Sequence, residues 1–264
     1  MIFLHIVILA LIQGITEFLP ISSSGHLVLA HEVLGHDSEK AWSDNLMLDV
    51  AVHVGTLFSV LLYFRRDLLN IVTSVFNTAG ANQTPNQLSG IRLATLIIIG
   101  SVPVIICGFC LYLLAPPWLR SVEIMAWMTL IFGILLGVAD RFAPQEKELK
   151  DLGVKQAFLI GLSQAISLIP GTSRSGITMT TARALGFNRE TAARYSLLLA
   201  IVAISGAGFL NGLQLFKADS LNISIDVLIA AILAFLSGWA AIALMMKWLE
   251  KASFMPFVIY RIIM

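Results

Sequence analysis

Two stretches of the chain combine polar side chains that could act on a phosphate with apolar sequence around them. Residues 13–26 read QGITEFLPISSSGH, and residues 164–178 read QAISLIPGTSRSGIT. In each stretch a Gln ends an apolar run, a Pro follows six or seven residues later, and a Ser/Gly cluster comes next. Hydrocarbon cannot satisfy the backbone groups of a broken helix, so such breaks are expected only where protein or a water-filled cavity covers them. A pair of breaks, one in each half of a chain, points to a binding site.

Glu17 is the acidic residue of the first stretch. A carboxylate inside an apolar run costs about 2.5–3.5 kcal/mol on insertion scales, so it is expected to be paired or functional. Gln13 lies four residues earlier, on the same helix face. The two side chains could direct hydrogen bonds toward one point of a site. They could also form a polar pair that only packs helices together.

The Ser-rich turn after Pro20 offers hydroxyls and unpaired backbone N–H groups to an anion, because helix N-termini bind phosphates in this way. The turn consists of Ser22, Ser23, Ser24 and Gly25. Simple N-capping would account for one of the three Ser residues. His26 follows the turn and is a candidate for proton transfer, because its unperturbed pKa lies near working pH. We expect it to fold back toward Glu17, although a lone His on an apolar face can be structural.

Arg174 is the charged residue of the second stretch. At this depth it needs an anionic partner, and its planar fork suits a phosphate. The alternative partner is Glu17, in an ion pair across a pseudo-symmetry axis that could open to admit a phosphate. The other candidates for substrate binding on this side are Gly171, Thr172, Ser173, Ser175, Gly176 and Thr178.

The elements that hold these residues are predicted to be membrane helices. Apolar residues make up 58% of the chain, and charged residues make up 12%, against about 25% in a soluble domain. The mean hydropathy is +0.87, and the net charge of +1 indicates neither nucleic acid nor a soluble acidic partner. A spanning helix needs about 20 apolar residues. The segments that reach this length are near 46–64, 91–115, 122–139, 195–216 and 225–246, and residues 254–264 begin a sixth, short helix.

Residues 1–35 and 154–186 are apolar but interrupted, and they are predicted to form re-entrant helical hairpins. Lys and Arg residues concentrate in loops around 65–66, 141–155, 183–194 and 247–251, whereas the loops 36–45, 116–121 and 217–224 hold one each. By the positive-inside rule the basic loops face the cytoplasm. The hairpins then enter from opposite sides, and their tips meet near the membrane centre. The predicted fold is an all-α polytopic membrane protein, a single integral domain over 1–264. It has about six transmembrane helices plus two re-entrant hairpins arranged as inverted repeats.

Other polar residues carry weaker signals. Asp49 and His53 are spaced four apart in a spanning segment, where they could line the same cavity or pair with each other. Three arginines, at 183, 189 and 194, fit a solvated cytoplasmic loop or contacts with lipid headgroups.

At these motifs the chain resembles the undecaprenyl pyrophosphate phosphatase family, membrane enzymes also called bacitracin-resistance proteins. The first family motif is Glu/Gln-x-x-x-Glu before a Pro and a Ser-rich turn, matched here by Gln13, Glu17, Ser23 and His26. The second is Pro-Gly-x-Ser-Arg-Ser-x-x-Thr, matched without a gap by Pro170, Gly171, Ser173, Arg174, Ser175 and Thr178. The resemblance runs through nearly the whole chain, including the closing stretch 256–261. The chain departs from the commoner pattern at Gln13, where many members have Glu, and in its short last helix.

The resemblance implies the hydrolysis of undecaprenyl diphosphate to undecaprenyl phosphate and inorganic phosphate in the bacterial inner membrane. Ser23 is then a candidate nucleophile, with a water as its rival, and Glu17 or His26 would take the proton. Arg174 would hold the diphosphate. A divalent cation, Mg²⁺ or Ca²⁺, is expected to be held largely by the substrate, with Glu17 as the one obvious protein ligand.

A second hypothesis from another class is a transporter or flippase for a lipid phosphate or another anion, because transporters also use broken helices in inverted repeats. A nucleophile and a proton carrier would be needed for hydrolysis but not for transport. The expected partners are the polyprenyl diphosphate and membrane lipids. The sequence leaves open whether the protein forms a homodimer.

Overall fold

The computed structural model describes residues 3–33, 46–76, 89–114, 119, 121–217 and 224–264. These residues form eleven α-helices and no β-strand, which confirms the all-α prediction. In chain order the helices are α1 (Phe3–Phe18), α2 (Ser23–Val33), α3 (Leu46–Tyr63), α4 (Arg65–Phe76), α5 (Gly90–Leu114), α6 (Val122–Phe142), α7 (Val154–Ile166), α8 (Arg174–Ala184), α9 (Arg189–Lys217), α10 (Ile225–Leu249) and α11 (Met255–Ile263).

Four of these helices, α5, α6, α9 and α10, are long and apolar enough to cross a membrane. The predicted segment near 46–64 passes the same test only as a pair of helices, α3 with α4, which are bent by 73°. The sixth predicted helix is α11, which has nine residues. The chain is therefore a multi-pass membrane protein with four or five spans in the part that the structure describes. The loop 36–45, used for the predicted orientation, lies outside the described residues.

The apolar character of the spans extends to their outer surface. On α5, Ile98, Ile106 and Leu113 are all more than half exposed in the isolated chain. Such a surface is expected to face lipid, because hydrocarbon removes the driving force that buries apolar side chains in water.

The interrupted segments form two short helix pairs, α1 with α2 and α7 with α8. Each break contains a proline, Pro20 or Pro170, which lacks a backbone N–H and cannot continue a helix. The second helix of each pair is preceded by a serine in an unusual backbone conformation, Ser22 with φ 71° and Ser173 with φ 66°. Each serine lies nine residues after the Gln of its stretch. The two hairpins thus share a backbone geometry at matching positions, as expected for two copies of one unit.

The packing of the hairpins is reciprocal. α1 packs against α10, a span of the second half, and α7 packs against α5, a span of the first half. Small residues permit these close contacts, as is typical of membrane helices. A Cβ on Gly14 would lie 2.7 Å from the Ala234 carbonyl, and a Cβ on Gly161 would lie 2.2 Å from the Gly100 carbonyl. Reciprocal packing of this kind supports the predicted repeat.

Candidate functional site

The two hairpin tips meet at one carboxylate. Ser23 Oγ donates a hydrogen bond to Glu17 Oε2 at 2.8 Å, and Arg174 Nη2 lies 3.1 Å from Glu17 Oε1. A second link joins the tips where Ser175 Oγ donates to the Leu19 carbonyl at 2.8 Å. The tips meet as predicted, and the Glu17–Arg174 ion pair, which the sequence left as the alternative to a phosphate partner, is present. Because Ser23 and Arg174 each begin the second helix of a hairpin, equivalent positions of the two copies bind the two oxygens of Glu17.

Gln13 completes the shell of donors around Glu17. Its Nε2 donates to Glu17 Oε2 at 2.8 Å and lies 3.4 Å from His53 Nε2. His53 Nδ1 contacts the Asp49 carbonyl at 2.7 Å, which can only accept, so Nδ1 carries a proton in this arrangement. In a neutral ring, Nε2 is then the acceptor for Gln13. The Gln–Glu pair is as the sequence predicted, and His53 joins it from α3.

One donor of Arg174 is left over. Its Nη1 is buried and has no hydrogen-bond partner among the residues that the structure describes, although its Nη2 contacts Glu17. The side chains of Arg174 and Glu17 are 12% and 10% exposed, so this guanidinium is largely withdrawn from solvent. Buried polar groups are rarely left unsatisfied, and an orphan donor needs an explanation. A bound anion would provide the missing acceptor.

A cavity of about 460 Å³ opens next to this cluster. One end is polar and is formed by Glu17, His53, Ser167 and Arg174. The rest of the wall is apolar and comes mainly from α5 and α9; it includes Val104, Ile105, Gly108, Phe109, Leu168, Val202, Ile204, Gly206, Phe209 and Leu210. At Gly206 an added Cβ would meet nothing within 4 Å. The cavity therefore suits a ligand with an anionic head and an apolar chain.

The hydroxyls of the two tips are arranged alike. Ser22 Oγ lies 3.2 Å from Ser24 Oγ, and Ser173 Oγ lies 3.1 Å from Ser175 Oγ. Ser173 Oγ also accepts from the Gly176 N–H at 3.1 Å and thereby caps α8. That N–H is therefore not free for an anion in this structure.

Several predicted substrate-binding residues of the second tip make their contacts within the protein. Thr178 is fully buried and its hydroxyl lies 2.6 Å from Ser196 Oγ. Thr172 is also fully buried, and its hydroxyl has no partner. Gly171 has φ 88°, and a Cβ there would lie 2.1 Å from the Met125 carbonyl, so only glycine fits. Gly25, in the first tip, is buried as well.

His26 does not make the contact expected from the sequence. Its Nδ1 lies 2.7 Å from the Ser22 carbonyl, and its Nε2 lies 2.7 Å from the Tyr260 hydroxyl. The two rings are stacked, with centroids 5.4 Å apart. Because Nδ1 must donate to the carbonyl, a neutral ring accepts from Tyr260 through Nε2. Tyr260, rather than Glu17, is thus the side chain that His26 faces.

Arg183 also departs from expectation. It is fully buried rather than solvated, and its Nε lies 3.2 Å from Asp140 Oδ1. It also donates to the Ala143 and Pro144 carbonyls in the turn after α6 and to the Phe187 carbonyl after α8. Counting charges in loops could not reveal Asp140 as a buried partner on another helix.

The side chains around Glu17 do not resemble a metal-binding cluster. Among the described residues no group of three or more His, Cys, Asp or Glu side chains could hold one. Both oxygens of Glu17 already accept hydrogen bonds, from Arg174 on one side and from Gln13 and Ser23 on the other. Glu17 is the one carboxylate in this donor set among the described residues. These side chains do not form a protein cage.

Comparisons with known proteins identify relatives over the whole chain. The family model described as bacitracin resistance protein BacA matches residues 6–264. An undecaprenyl-diphosphatase of Hahella chejuensis is 46% identical, with 100% of this chain and 96% of the relative covered. Undecaprenyl-diphosphatase 1 of Pseudoalteromonas translucida is 44% identical, with 99% and 95% covered. An undecaprenyl-diphosphatase of Alteromonas mediterranea is 45% identical, with 98% and 94% covered.

Proposed function

The chain belongs to the family of the bacitracin resistance protein BacA, and on that premise we propose that it is an undecaprenyl-diphosphatase of the bacterial inner membrane. It hydrolyses undecaprenyl diphosphate to undecaprenyl phosphate and inorganic phosphate. This reaction recycles the lipid carrier for peptidoglycan synthesis and accounts for resistance to bacitracin. The observation that carries the proposal is the linked set of Ser23, Glu17 and Arg174 at the polar end of an apolar cavity.

Ser23 and Glu17 have the geometry of a nucleophile and its base. The Ser23 hydroxyl already donates to Glu17 Oε2 at 2.8 Å, so the proton has a short path to the carboxylate. Attack of Ser23 Oγ on the terminal phosphorus breaks its bond to the bridging oxygen, and undecaprenyl phosphate leaves. A water then attacks the phosphoserine, releases inorganic phosphate, and the proton returns to Ser23. Direct attack by a water would use Glu17 as the same base.

Arg174 supplies the positive charge that a phosphate needs. Phosphoryl transfer depends mainly on positioning and on stabilising charge at the terminal oxygens. Because Nη2 contacts Glu17 while Nη1 has no partner, Arg174 can bind a phosphate oxygen without releasing Glu17. The same side chain then orients both the base and the substrate.

The apolar part of the cavity suits the prenyl chain. Its wall is formed largely by α5 and α9, both of which are spans, so a chain lying there would stay within the hydrocarbon layer. The open space at Gly206 leaves room beside α9. A soluble diphosphate would gain nothing from such a wall, because burial favours apolar surface.

The proposal also includes a role for His26, a divalent cation and the oligomeric state. His26 is a proton carrier for the leaving oxygen only after its Nε2 separates from Tyr260. Glu17 would be the one protein ligand of a divalent cation bound by the diphosphate, and such a cation would neutralise part of the diphosphate charge. Association into a homodimer would be measured by the mass of the detergent-solubilised protein.

Phosphate release from farnesyl diphosphate by the purified protein in detergent tests the function. We expect release by the wild type and a loss of about 10²–10³-fold for Arg174→Ala, as for the removal of one transition-state donor. Arg65→Ala is the control, since Arg65 is exposed and donates to the Leu62 carbonyl of its own turn. No release by the wild type, combined with movement of a lipid phosphate between leaflets, would favour the transport hypothesis.

A further inference from the structure

Arg261, on α11, is a buried cation in an unusual setting. It is 1% exposed, yet no carboxylate pairs with it among the residues that the structure describes. Its partners are backbone carbonyls. Nε donates to Thr129 at 3.0 Å, Nη2 donates to Gly171 at 3.0 Å and to Thr172 at 3.1 Å, and Nη1 contacts the Pro20 carbonyl at 3.4 Å. A charge buried without an ionic partner is costly, so a specific role is expected.

Three of these carbonyls lie in the breaks of the two hairpins. Pro20 follows α1, and Gly171 and Thr172 follow α7. A helix end leaves carbonyl groups without intrahelical donors, and in a membrane these must be satisfied by protein. Arginine carries five N–H donors in a rigid fork and can bond several acceptors at once. One side chain of α11 therefore holds the backbone of both hairpins.

A second observation places α11 against both tips. A Cβ on Gly176 would lie 2.7 Å from Arg261 Nη1, and a Cβ on Gly25 would lie 2.9 Å from Met264 Cε. These glycines occupy matching positions, each three residues after the serine of positive φ. Arg261 of α11 and Met264, which follows α11, thus lie against equivalent glycines of the two copies.

We propose that Arg261 is a positioning residue of the diphosphatase, an inference that rests on the proposed function. By bonding Pro20 and Thr172, Arg261 fixes the segments that immediately precede Ser23 and Arg174. The separation of the nucleophile candidate from the anion-binding guanidinium depends on these segments. A displacement of about 1 Å at a reacting group can lower the rate about 10²-fold.

The chain offers a matched pair of probes that leave Arg261 itself in place. α6 faces α11 through two glycines one turn apart. A Cβ on Gly133 would lie 2.9 Å from Arg261 Cβ and 3.3 Å from its Nε, whereas a Cβ on Gly137 would lie 3.0 Å from Val258 Cγ1. Gly133→Ala therefore displaces Arg261, and Gly137→Ala disturbs the same helix contact without touching it.

The experiment measures kcat and KM for farnesyl diphosphate on monodisperse protein, and amide hydrogen exchange in the two tips. For Arg261→Lys we expect a loss of about tenfold or more in kcat with KM within about twofold, because misplaced groups slow the chemical step rather than binding. Gly133→Ala should lower kcat in the same way, and in both variants the tips should exchange faster. Gly137→Ala should keep the wild-type kcat. Arg183→Lys, at an equally buried arginine away from the tips, should lower the thermal midpoint alone.

Wild-type kcat and wild-type exchange in folded Arg261→Lys would overturn the inference, as would an equal loss of kcat in Gly133→Ala and Gly137→Ala. If Arg261→Lys does not fold, the difference in kcat between Gly133→Ala and Gly137→Ala decides whether Arg261 positions the tips. If the wild type releases no phosphate, the proposed function fails, and the exchange of the tips still decides whether Arg261 positions them.

Discussion

The two hairpin tips share a backbone but differ in one side chain at the centre of the site. Ser22 and Ser173 have φ values of 71° and 66°, and each tip holds a pair of hydroxyls just over 3 Å apart. The next residue is Ser23 in the first copy and Arg174 in the second, and both reach Glu17. A repeated backbone thus brings two different functional groups to one carboxylate, a nucleophile candidate from one side and a cation from the other.

The helices before the tips diverge in the same way. The Gln of each stretch is buried, but four residues later the first copy has Glu17 and the second has Leu168. Gln13 donates to Glu17, whereas Gln164 reaches only the Gly100 carbonyl at 3.4 Å. Leu168 lines the apolar cavity instead. The helix before the tip therefore supplies a carboxylate in the first copy and part of the apolar wall in the second.

The largest effect is expected for Glu17→Gln, which removes the carboxylate that Ser23 and Arg174 both contact. The base is lost and Arg174 is left without its ionic partner, so we expect kcat to fall by about 10³-fold, within the range for a general base. The check is phosphate release together with the thermal midpoint, which separates lost chemistry from unfolding. A fall of less than about tenfold in folded protein would mean that Glu17 only links the tips.

Ser23→Ala tests whether the first tip supplies a nucleophile. We expect a loss of more than about 10²-fold, because removal of a covalent nucleophile usually stops most of the reaction. Ser24→Ala is the neighbour control. Ser24 is exposed, and among the described residues its hydroxyl contacts only that of Ser22, so we expect kcat to fall by less than about threefold. A loss of about tenfold or less for Ser23→Ala would favour an attacking water. Trapping of a phosphoserine after a rapid acid quench gives an independent measurement.

The same substitution at the two equivalent glutamines should have opposite consequences. Gln13→Glu places a second carboxyl group beside Glu17 and near His53, and Glu17 is itself paired with Arg174. One proton shared between the two carboxyl groups would replace the lost amide donor, so we expect the variant to fold and to retain activity within about tenfold. Gln164→Glu buries a carboxylate next to the Gly100 carbonyl without a cation, so we expect a loss of stability of about 2–4 kcal/mol. Thermal denaturation in detergent measures the difference in stability between the two variants. Equal midpoints would show that the glutamines have equivalent surroundings.

The smallest effect is expected where the tips are most alike. Ser22→Gly and Ser173→Gly should each be tolerated, because glycine adopts positive φ without the steric cost of about 1–2 kcal/mol that other residues meet. Ser173→Gly also loses the cap on the Gly176 N–H, which offsets part of this gain by a few tenths of a kcal/mol. The free energy of unfolding of each variant, measured by thermal denaturation, should therefore stay within about 1 kcal/mol of the wild-type value. A large loss of stability in only one of the two variants would show that the two tips are not equivalent.

Local sequence patterns predicted the contacts that local geometry determines. The spacing of Gln13 and Glu17 placed them on one helix face, and their hydrogen bond is present. The ion pair between Glu17 and Arg174 joins residues 157 positions apart, and it was predictable because the two stretches repeat one pattern. Three other interactions were not predictable in this way. His26 was expected to face Glu17, Arg183 was expected to be solvated, and Arg261 was not singled out.

The membrane class and the two broken helices were predictable from the amino-acid sequence alone. They depend on hydropathy, on proline and on spacing along a single helix, which are local properties. The partner of each buried polar group depends instead on how distant helices pack. His26 pairs with Tyr260, Arg183 with Asp140, and Arg261 with the carbonyls of both breaks. A buried donor must bond an acceptor that packing brings near it. The spacing of residues along one helix does not predict which distant helix packs against it.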